Sequence, residues 1–493
     1  MLIVLFLTSL RLFITKAEKY FYIYEWDINN IFIPPTSHDM KRNFYRNCGI
    51  GESISGRKAN SQDKSFYQHT YETSPYSLFE YSLHRLANSP RRVLSPEKAS
   101  IFFIPYDITH NTWYAASKPS NKLNNSVNIK PFQSKNVIFD DLRTPEFATK
   151  RLYNIISLLN SSSDFQKFNG KNHFVIEDDS PYFEWKHNVQ AWKDFHEFCK
   201  FCMKITPDVT DELRDKFKSI IIPTTILSAP HPSAIHYNNA VGSPPWDISL
   251  NRHNKYIVST VGTVHKADRK ATRSRQILDH QCNKHKHETF LDNSGIETVN
   301  VCYVNNLSKN SYRKFKSYDA IEIYRKSVFC LCAPGDLDVR KALFDIISSG
   351  CIPVLFNNFT LGEYQNYIPS QEKVSILFNF NGKSIVDDFS TPSFDKHLKF
   401  KLKDSIFSSI DVIKHLHDLY VSKPDFIGSI QRNIERLASR IQYNVIDNCS
   451  QEIYHGIIHS ANAKQIMEAS TTTANSIDAY DVLLEQLFSK LNS

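Results

Sequence analysis

The chain has 493 residues, 41% of them hydrophobic, which is enough for two to three domains with their own cores. Its 59 Lys and Arg residues against 51 Asp and Glu give a net charge of +8, and the basic residues form no long runs. This balance argues against a dedicated nucleic-acid-binding protein and suits anionic or polysaccharide partners.

The first 15 residues are almost wholly apolar, which is short for a spanning helix and closer to a signal-peptide core. We predict that residues 1–19 are a signal peptide or short signal anchor, with entry into the secretory pathway and N-terminal membrane association as consequences. Asn-X-Ser/Thr sequons agree with that route, at Asn124, Asn160, Asn306, Asn358 and Asn448.

The N-terminal half, residues 20–240, alternates apolar strand-like runs with amphipathic helices. Strands are predicted near residue 21 and at 101–107, 170–176 and 219–223, and helices at 74–88 and 147–159. Acidic residues end two of these strands, namely Asp107 and the run Glu177, Asp178 and Asp179. Because ligands bind beyond the carboxyl ends of parallel strands, these carboxylates are candidates for a general base, and the run of three could also hold a divalent cation. The alternative is a solvated acidic loop.

Three other polar residues of this half carry a structural interpretation. Glu80 and His84 lie one helical turn apart, a spacing that permits a side-chain pair within one helix. His173 begins an apolar strand, where it is expected to be a core histidine. The interpretation of Glu80 and His84 as catalytic residues is the alternative.

A Pro- and Gly-containing stretch at 241–254 is predicted to link two domains, and a new strand begins after it. That strand, 256–263, contains Gly262, which would let backbone approach a phosphate closely. The next helix carries Arg273 and Arg275, either of which could pair with the phosphate bidentately.

The stretch 327–356 is predicted to form a strand, a turn, a helix and a second strand parallel to the first. The helix is expected to begin after Gly335, with Asp336 as part of an acidic cap and Arg340 and Lys341 in the first turn. A helix start of this kind offers N–H groups to an anion, and cations there favour a phosphate or diphosphate ligand.

Asp345, further along this helix, could accept hydrogen bonds from sugar hydroxyls. The alternative for this stretch is a solvated Arg-Lys pair with a surface Asp. The polar residues 283–311 are predicted to be loop. The remaining elements are helices at 318–326, 411–419, 430–443 and from Asp478 onward, with a last strand at 374–378.

The nine cysteines fit a large domain with a few bridges, with Cys282–Cys302 as the preferred pair. Three others are expected to be packed thiols in buried strands, at Cys330, Cys332 and Cys351. Cys199 and Cys202 form a CxxC without a second one, which is a poor zinc signature.

Five blocks within 327–354 resemble the nucleotide-sugar-binding signature of the exostosin family of glycosyltransferases, and are most similar to its plant branch with xyloglucan galactosyltransferases. They are Ser-Val-Phe-Cys-Leu (327–331), Pro-Gly-Asp (334–336), Arg-Lys (340–341), Phe-Asp (344–345) and Gly-Cys-Ile-Pro-Val (350–354). The resemblance implies an α/β fold of two doubly wound Rossmann-like domains facing a cleft, the GT-B type. Residues 20–240 would be the acceptor side, 255–450 the nucleotide-sugar domain and 451–493 a helical extension.

The resemblance also implies the chemistry, which is inverting transfer from a UDP-sugar, such as UDP-galactose or UDP-glucuronate, to a glycan hydroxyl in the Golgi lumen. The enzyme would be a type II membrane protein that uses the nucleotide sugar as co-substrate and requires no metal or other cofactor. Residues that depart from the family pattern are Lys171, Asn172, Asn366 and Tyr367. They keep open a non-catalytic Golgi glycan-binding or partner subunit, and a nucleotide-sugar epimerase is a further alternative.

Overall fold

The computed structural model describes residues 19–25, 47–58, 64–109, 145–178, 190–207, 209, 225–247, 254–263, 270–291, 298–307, 317–333, 339–356, 359–369, 372–378, 410–446 and 477–491. The predicted strand at 219–223 and the predicted N-terminal signal segment, apart from Lys19, lie outside these residues.

The first sheet has six parallel strands in the order β2-β1-β3-β4-β5-β6. They are β1 (Phe21–Ile23), β2 (Arg92–Val93), β3 (Ile101–Phe103), β4 (His173–Ile176), β5 (Met203–Thr206) and β6 (Ile226–Ser228). Its helices are α1 (Lys64–Tyr67), α2 (Leu78–Ala87), α3 (Pro145–Ser161), α4 (Ser163–Phe168) and α5 (Gln190–Phe198).

Both faces of this sheet are buried, because successive side chains of a strand point to opposite faces. Phe102 on β3 and Val175 on β4 belong to one apolar cluster, which includes residues of α3 and α5. Their neighbours Phe103 and Phe174 belong to the other, together with α2. Burial on both faces explains why the strands read as continuous apolar runs.

The second sheet also has six strands, in the order β12-β11-β10-β7-β9-β8, and only the β8–β9 pair is antiparallel. They are β7 (Tyr256–Thr263), β8 (Thr289–Leu291), β9 (Thr298–Leu307), β10 (Ser327–Leu331), β11 (Ile352–Leu355) and β12 (Ile376–Leu377). The helices that follow are α6 (Lys270–His285), α7 (Ser317–Arg325), α8 (Lys341–Ser348), α9 (Phe359–Gly362), α10 (Val412–Ser422), α11 (Pro424–Leu437) and α12 (Ala479–Lys490). Short 3-10 helices occupy Ser55–Lys58, Pro96–Lys98, Asn239–Val241 and Ala438–Ile441.

The predicted fold class is confirmed, since two α/β units with largely parallel sheets are present. The prediction that residues 283–311 are loop is wrong, because β8 and β9 lie within that stretch. In β9, Val299 and Val301 are buried while the intervening Asn300 is less so, and this alternation supports a strand despite the polar composition.

One disulfide prediction is confirmed and another is corrected. Cys282 on α6 is bonded to Cys302 on β9. Cys330 on β10 is bonded to Cys351 just before β11, so these two residues are not packed thiols. The parallel pairing of β10 with β11 places their Cα atoms 6.1 Å apart, within reach of a bridge. Cys332 is a buried free thiol, as are Cys199 and Cys202.

The chain crosses from the first sheet to the second between β6 and β7. The first part of this connection, residues 229–238, is called the crossing segment. The C-terminal helix α12 packs back against the first unit. Its N-cap Asp478 forms a capping box with Asp481. Arg85 on α2 reaches both carboxylates at 3.5 Å, and the Tyr81 hydroxyl donates to Asp478 at 3.3 Å.

Candidate active site

Arg340 stands between the carboxyl end of β10 and the start of α8. Its backbone is extended (φ −144°, ψ 146°), so α8 begins only at Lys341 and the predicted earlier helix start is wrong. The Arg340 Nη1 donates to the carbonyl oxygen of Ala333 at 3.0 Å, which holds the guanidinium group against the end of β10. Gly335 and Asp336 lie outside the described residues.

A second guanidinium group, that of Arg275, belongs to the neighbouring strand-helix unit. β7 pairs with β10, and Arg275 is half-buried on α6, the helix that follows β7. Burial raises the pKa of the Cys332 thiol, just beyond β10, whereas the Arg340 and Arg275 guanidinium groups act to lower it. The two cations therefore act on one point at the carboxyl end of β10.

Gly262 and Arg273 belong to the same β7–α6 connection as Arg275. Gly262 pairs with Asn306 near the end of β7, and Arg273 lies in the first turn of α6. The structure thus brings the carboxyl ends of β7 and β10 side by side. That these residues hold a phosphate stays a prediction.

Lys341 and Asp345 form an ion pair one turn apart at the start of α8. The Lys341 ammonium donates to Asp345 Oδ1 at 2.9 Å and to Oδ2 at 2.8 Å. Asp345 Oδ1 also accepts the backbone N–H of Ala234, in the crossing segment, at 2.7 Å. Both oxygens of Asp345 already have protein partners, and its contact with a sugar hydroxyl stays a prediction.

Asp178 lies at the carboxyl end of β4 and caps a helix. Its Oδ1 accepts the backbone N–H of Phe79, in the first turn of α2, at 2.6 Å. Its own backbone N–H donates to the Thr109 hydroxyl at 2.9 Å. Asp178 is 1% exposed, and a buried carboxylate at a helix N-terminus stabilises the helix.

Glu177 points into the interior of the first unit. Its carboxylate is fully buried, with Oε1 3.5 Å from His196 Nε2 on α5. Burial raises the pKa of Glu177 to about 8, although the Lys204 ammonium acts to lower it. Burial also lowers the pKa of His196 well below its usual value. A neutral carboxyl group that faces away from solvent is poorly placed to deprotonate an incoming hydroxyl.

Asp107 follows β3, the strand beside β4 in the sheet. It is 8% exposed, and Thr109, two residues later, holds the backbone of Asp178. The structure therefore brings Asp107 and Asp178 to adjacent strand ends. Asp179 lies outside the described residues, and the catalytic assignment of all four carboxylates stays a prediction.

The structure agrees with the structural roles predicted for Glu80, His84 and His173. His84 Nε2 lies 3.0 Å from Glu80 Oε1, and both side chains are buried. His173 Nε2 hydrogen-bonds the Tyr24 hydroxyl at 2.7 Å, and the ring stacks on Phe102. Burial lowers the pKa of His173 to about 3, so it is a neutral core residue at pH 7.

Asp279 is a charged neighbour of Arg275 that the sequence interpretation did not single out. Its Oδ1 accepts the Thr260 hydroxyl at 3.2 Å. Burial raises the pKa of Asp279 to about 6, while the Thr260 hydrogen bond and Arg275 act to lower it. The four-residue spacing of Arg275 and Asp279 on one helix was the available signal.

Two kinds of feature are absent from the described residues. Among them, no group of three or more His, Cys, Asp or Glu side chains is arranged to hold a metal ion. No helix in that part of the chain is long and apolar enough to cross a membrane.

Two doubly wound α/β units, with Arg340 at the carboxyl end of a central strand of the second, define the class of two-domain α/β proteins that bind ligands beyond their strand ends. The family model of the exostosin GT47 domain matches residues 22–381. The chain belongs to the exostosin GT47 family.

Curated relatives come from Arabidopsis thaliana. The chain is 24% identical over 340 residues to xyloglucan-specific galacturonosyltransferase 1, covering 67% of this chain and 42% of that protein. It is 22% identical over 342 residues to probable xyloglucan galactosyltransferase GT20, covering 67% and 49%. For probable xyloglucan galactosyltransferase GT17 the identity is 24% over 366 residues, covering 73% and 70%. The matched part of this chain thus spans about half the length of the first two relatives.

Two solved structures are loosely similar. The GtfA/B complex matches with a TM-score of 0.32 and 8% identity, over 70% of this chain and 61% of that chain. The pneumococcal O-GlcNAc transferase GtfA in complex with UDP and GlcNAc matches with a TM-score of 0.29 and 11% identity, over 65% and 60%.

Proposed function

We propose that the protein is an inverting glycosyltransferase that moves a sugar from a nucleotide-diphosphate donor to a glycan or polysaccharide hydroxyl. The donor is a UDP-sugar, with UDP-galactose and UDP-glucuronate as the first candidates. The supporting observation is that Arg340 lies at the carboxyl end of β10 and Arg275 lies on the helix after the neighbouring strand β7, in a chain of the exostosin GT47 family. Ligands of open α/β sheets bind at that edge.

Positive charge at this edge suits the leaving group. As the glycosidic bond breaks, negative charge develops on the departing diphosphate, and fixed cations lower the energy of that state. Arg275 and Arg340 would supply this charge directly, with Lys341 beside them at the start of α8. We therefore expect the reaction to need no metal or other cofactor besides the nucleotide sugar.

The acceptor hydroxyl needs a base on the opposite face of the anomeric carbon. Of the three candidate carboxylates that the structure describes, Glu177 points into the interior and Asp178 caps α2. Asp107 is left as the preferred base. A positioned base contributes roughly 10²- to 10⁴-fold to the rate, so D107N should lower kcat by that factor with little change in donor KM.

We place the protein in the secretory pathway and its activity in the Golgi lumen, with residues 1–19 as signal peptide or type II anchor. The disulfides Cys282–Cys302 and Cys330–Cys351 support this location, because such bonds persist in oxidising compartments. Protease protection of the protein in sealed Golgi vesicles tests the topology.

The deciding experiment is UDP binding by calorimetry on the full chain, with R340A as the test variant. Loss of a buried charge-assisted contact costs about 2–5 kcal/mol, so R340A should weaken UDP binding at least tenfold. R432A is the matched control, because Arg432 is exposed on α11. Equal UDP affinity for R340A, R432A and wild type would remove Arg340 from the site.

Product analysis separates the remaining alternatives. A screen of UDP-sugars with glycan acceptors should yield a transferred sugar of inverted anomeric configuration. Conversion of the donor into an epimer without transfer would show an epimerase instead. Glycan binding without UDP binding would show a non-catalytic partner subunit.

A further inference from the structure

The crossing segment (residues 229–238) is held by both halves of the molecule. On the first side, the Tyr71 N–H donates to the Ala234 carbonyl oxygen at 2.8 Å, and the His236 N–H donates to the His69 carbonyl oxygen, also at 2.8 Å. Ala234 and His236 are fully buried. The segment is therefore a fixed structural element and not a loose tether.

On the second side, the segment is bound by two parts of the chain. The Tyr443 hydroxyl donates to the Pro230 carbonyl oxygen at 2.8 Å, and the Tyr443 carbonyl oxygen lies 2.6 Å from His236 Nδ1. The other part is Asp345, which accepts the Ala234 N–H at 2.7 Å. Asp345 thus joins the segment to the start of α8.

The same carboxylate holds the Lys341 ammonium with both oxygens, at 2.9 and 2.8 Å. Lys341 follows Arg340 directly, so it lies beside the cations of the candidate donor site. Asp345 is 7% exposed, and a hydrogen bond to a charged acceptor in that setting is among the stronger ones. One side chain therefore contacts a cation of the donor site and the backbone between the two halves.

We propose that Asp345 is a positioning residue that ties the crossing segment to Lys341, so that UDP binding at the start of α8 is coupled to the order of the segment. The coupling rests on the proposed function, whereas the tie itself does not. This role differs from that of a ribose or sugar ligand, for which the same carboxylate would accept a hydrogen bond from a hydroxyl of the donor.

The first test measures backbone amide hydrogen exchange in the full chain without ligand. D345A removes the acceptor of the Ala234 N–H, and exchange of that amide should rise about tenfold or more. D345N keeps a neutral acceptor and should raise it less. D418N is the matched control, since Lys414 and Asp418 form an ion pair of the same spacing that is exposed on α10, and it should leave Ala234 unchanged. Unchanged exchange in both Asp345 variants overturns the tie.

The second test repeats the exchange with saturating UDP. In wild type and D418N, UDP should slow exchange across residues 229–238, and in D345A this protection should vanish. Protection that survives in D345A and D345N overturns the coupling. If wild-type protein binds no UDP, the proposed function and the coupling are both refuted. The exchange comparison without ligand still tests whether Asp345 holds the crossing segment.

The third test distinguishes a positioning residue from a ribose ligand by a double-mutant cycle. Wild type and D345N are each titrated with UDP and with 2′-deoxy- and 3′-deoxy-UDP. If Asp345 acts through Lys341 and the crossing segment, D345N and each missing hydroxyl should weaken UDP binding independently. The two fold-losses in affinity should then multiply to the combined loss within about twofold. If the cost of a missing hydroxyl disappears in D345N, Asp345 binds the ribose and the proposal is wrong.

Discussion

Asp178 is a residue in which a structural role and a catalytic role can be tested apart. Its carboxylate caps α2, and it also lies at a strand end where a base is expected. D178A removes the acceptor that lies 2.6 Å from the Phe79 N–H in a site that is 1% exposed. A hydrogen bond to a charged group contributes about 1.5–3 kcal/mol. The helix dipole adds up to about 2 kcal/mol for a partly buried carboxylate.

These two contributions overlap, so we expect D178A to lower the free energy of unfolding by about 2–4 kcal/mol. D178N keeps a neutral acceptor and should lose about 1 kcal/mol. D425N is the matched control, because Asp425 lies in the first turn of α11 and is exposed. It should change stability by less than about 0.5 kcal/mol.

Urea denaturation followed by circular dichroism, together with donor turnover, measures stability and activity of the same variants. D178N should retain kcat within about threefold, since no proton transfer is assigned to Asp178. If D178N instead turns over donor roughly a hundredfold more slowly, or worse, while its urea midpoint is unchanged, the capping role is refuted and Asp178 is the base.

Three further predictions concern buried groups. Burial raises the pKa of Glu177 to about 8, so wild type should lose stability relative to E177Q as pH rises from about 4.5 to 8. E177Q should also keep its activity at pH 7. The same dependence of melting temperature on pH in wild type and E177Q would contradict this prediction. Replacing both Cys330 and Cys351 by Ser should cost about 3 kcal/mol in urea denaturation, because the bridge closes a loop of 21 residues. Burial would lower the pKa of His285, but its hydrogen bonds to carboxylates, including Asp411, raise it overall. H285N should therefore cost about 1 kcal/mol at pH 6 and less at pH 9, and an equal loss at both pH values would exclude ionisation as the cause.

The local sequence was enough to predict the central strands of the second sheet and the α/β fold class of the protein. β7 and β10 are apolar runs of strand length, and the stretch between β10 and β11 is too long for a hairpin, so the parallel order followed. β9 was predicted to be loop because residues 283–311 are polar in composition, and this outweighed the alternation of Val299 and Val301.

Contacts between distant parts of the chain could not be predicted. The Cys330–Cys351 bridge depends on which strands are neighbours and on where along them the sulfur atoms meet. The same limit applies to Asp345, whose partner Ala234 is 111 positions away. The spacing on α8 allowed a carboxylate near the candidate donor site, but only the fold shows that the crossing segment passes there.

The departures from the family pattern at Asn366 and Tyr367 also depend on the fold. The Tyr367 hydroxyl donates to the carbonyl oxygen of Ser228, at the end of β6, at 3.1 Å. Asn366 Nδ2 donates to Gln486 Oε1 on α12 at 2.9 Å. Both side chains therefore serve contacts between distant parts of the chain. These contacts give Asn366 and Tyr367 a structural role in the fold. Product analysis, and not these two positions, decides between an enzyme and a binding subunit.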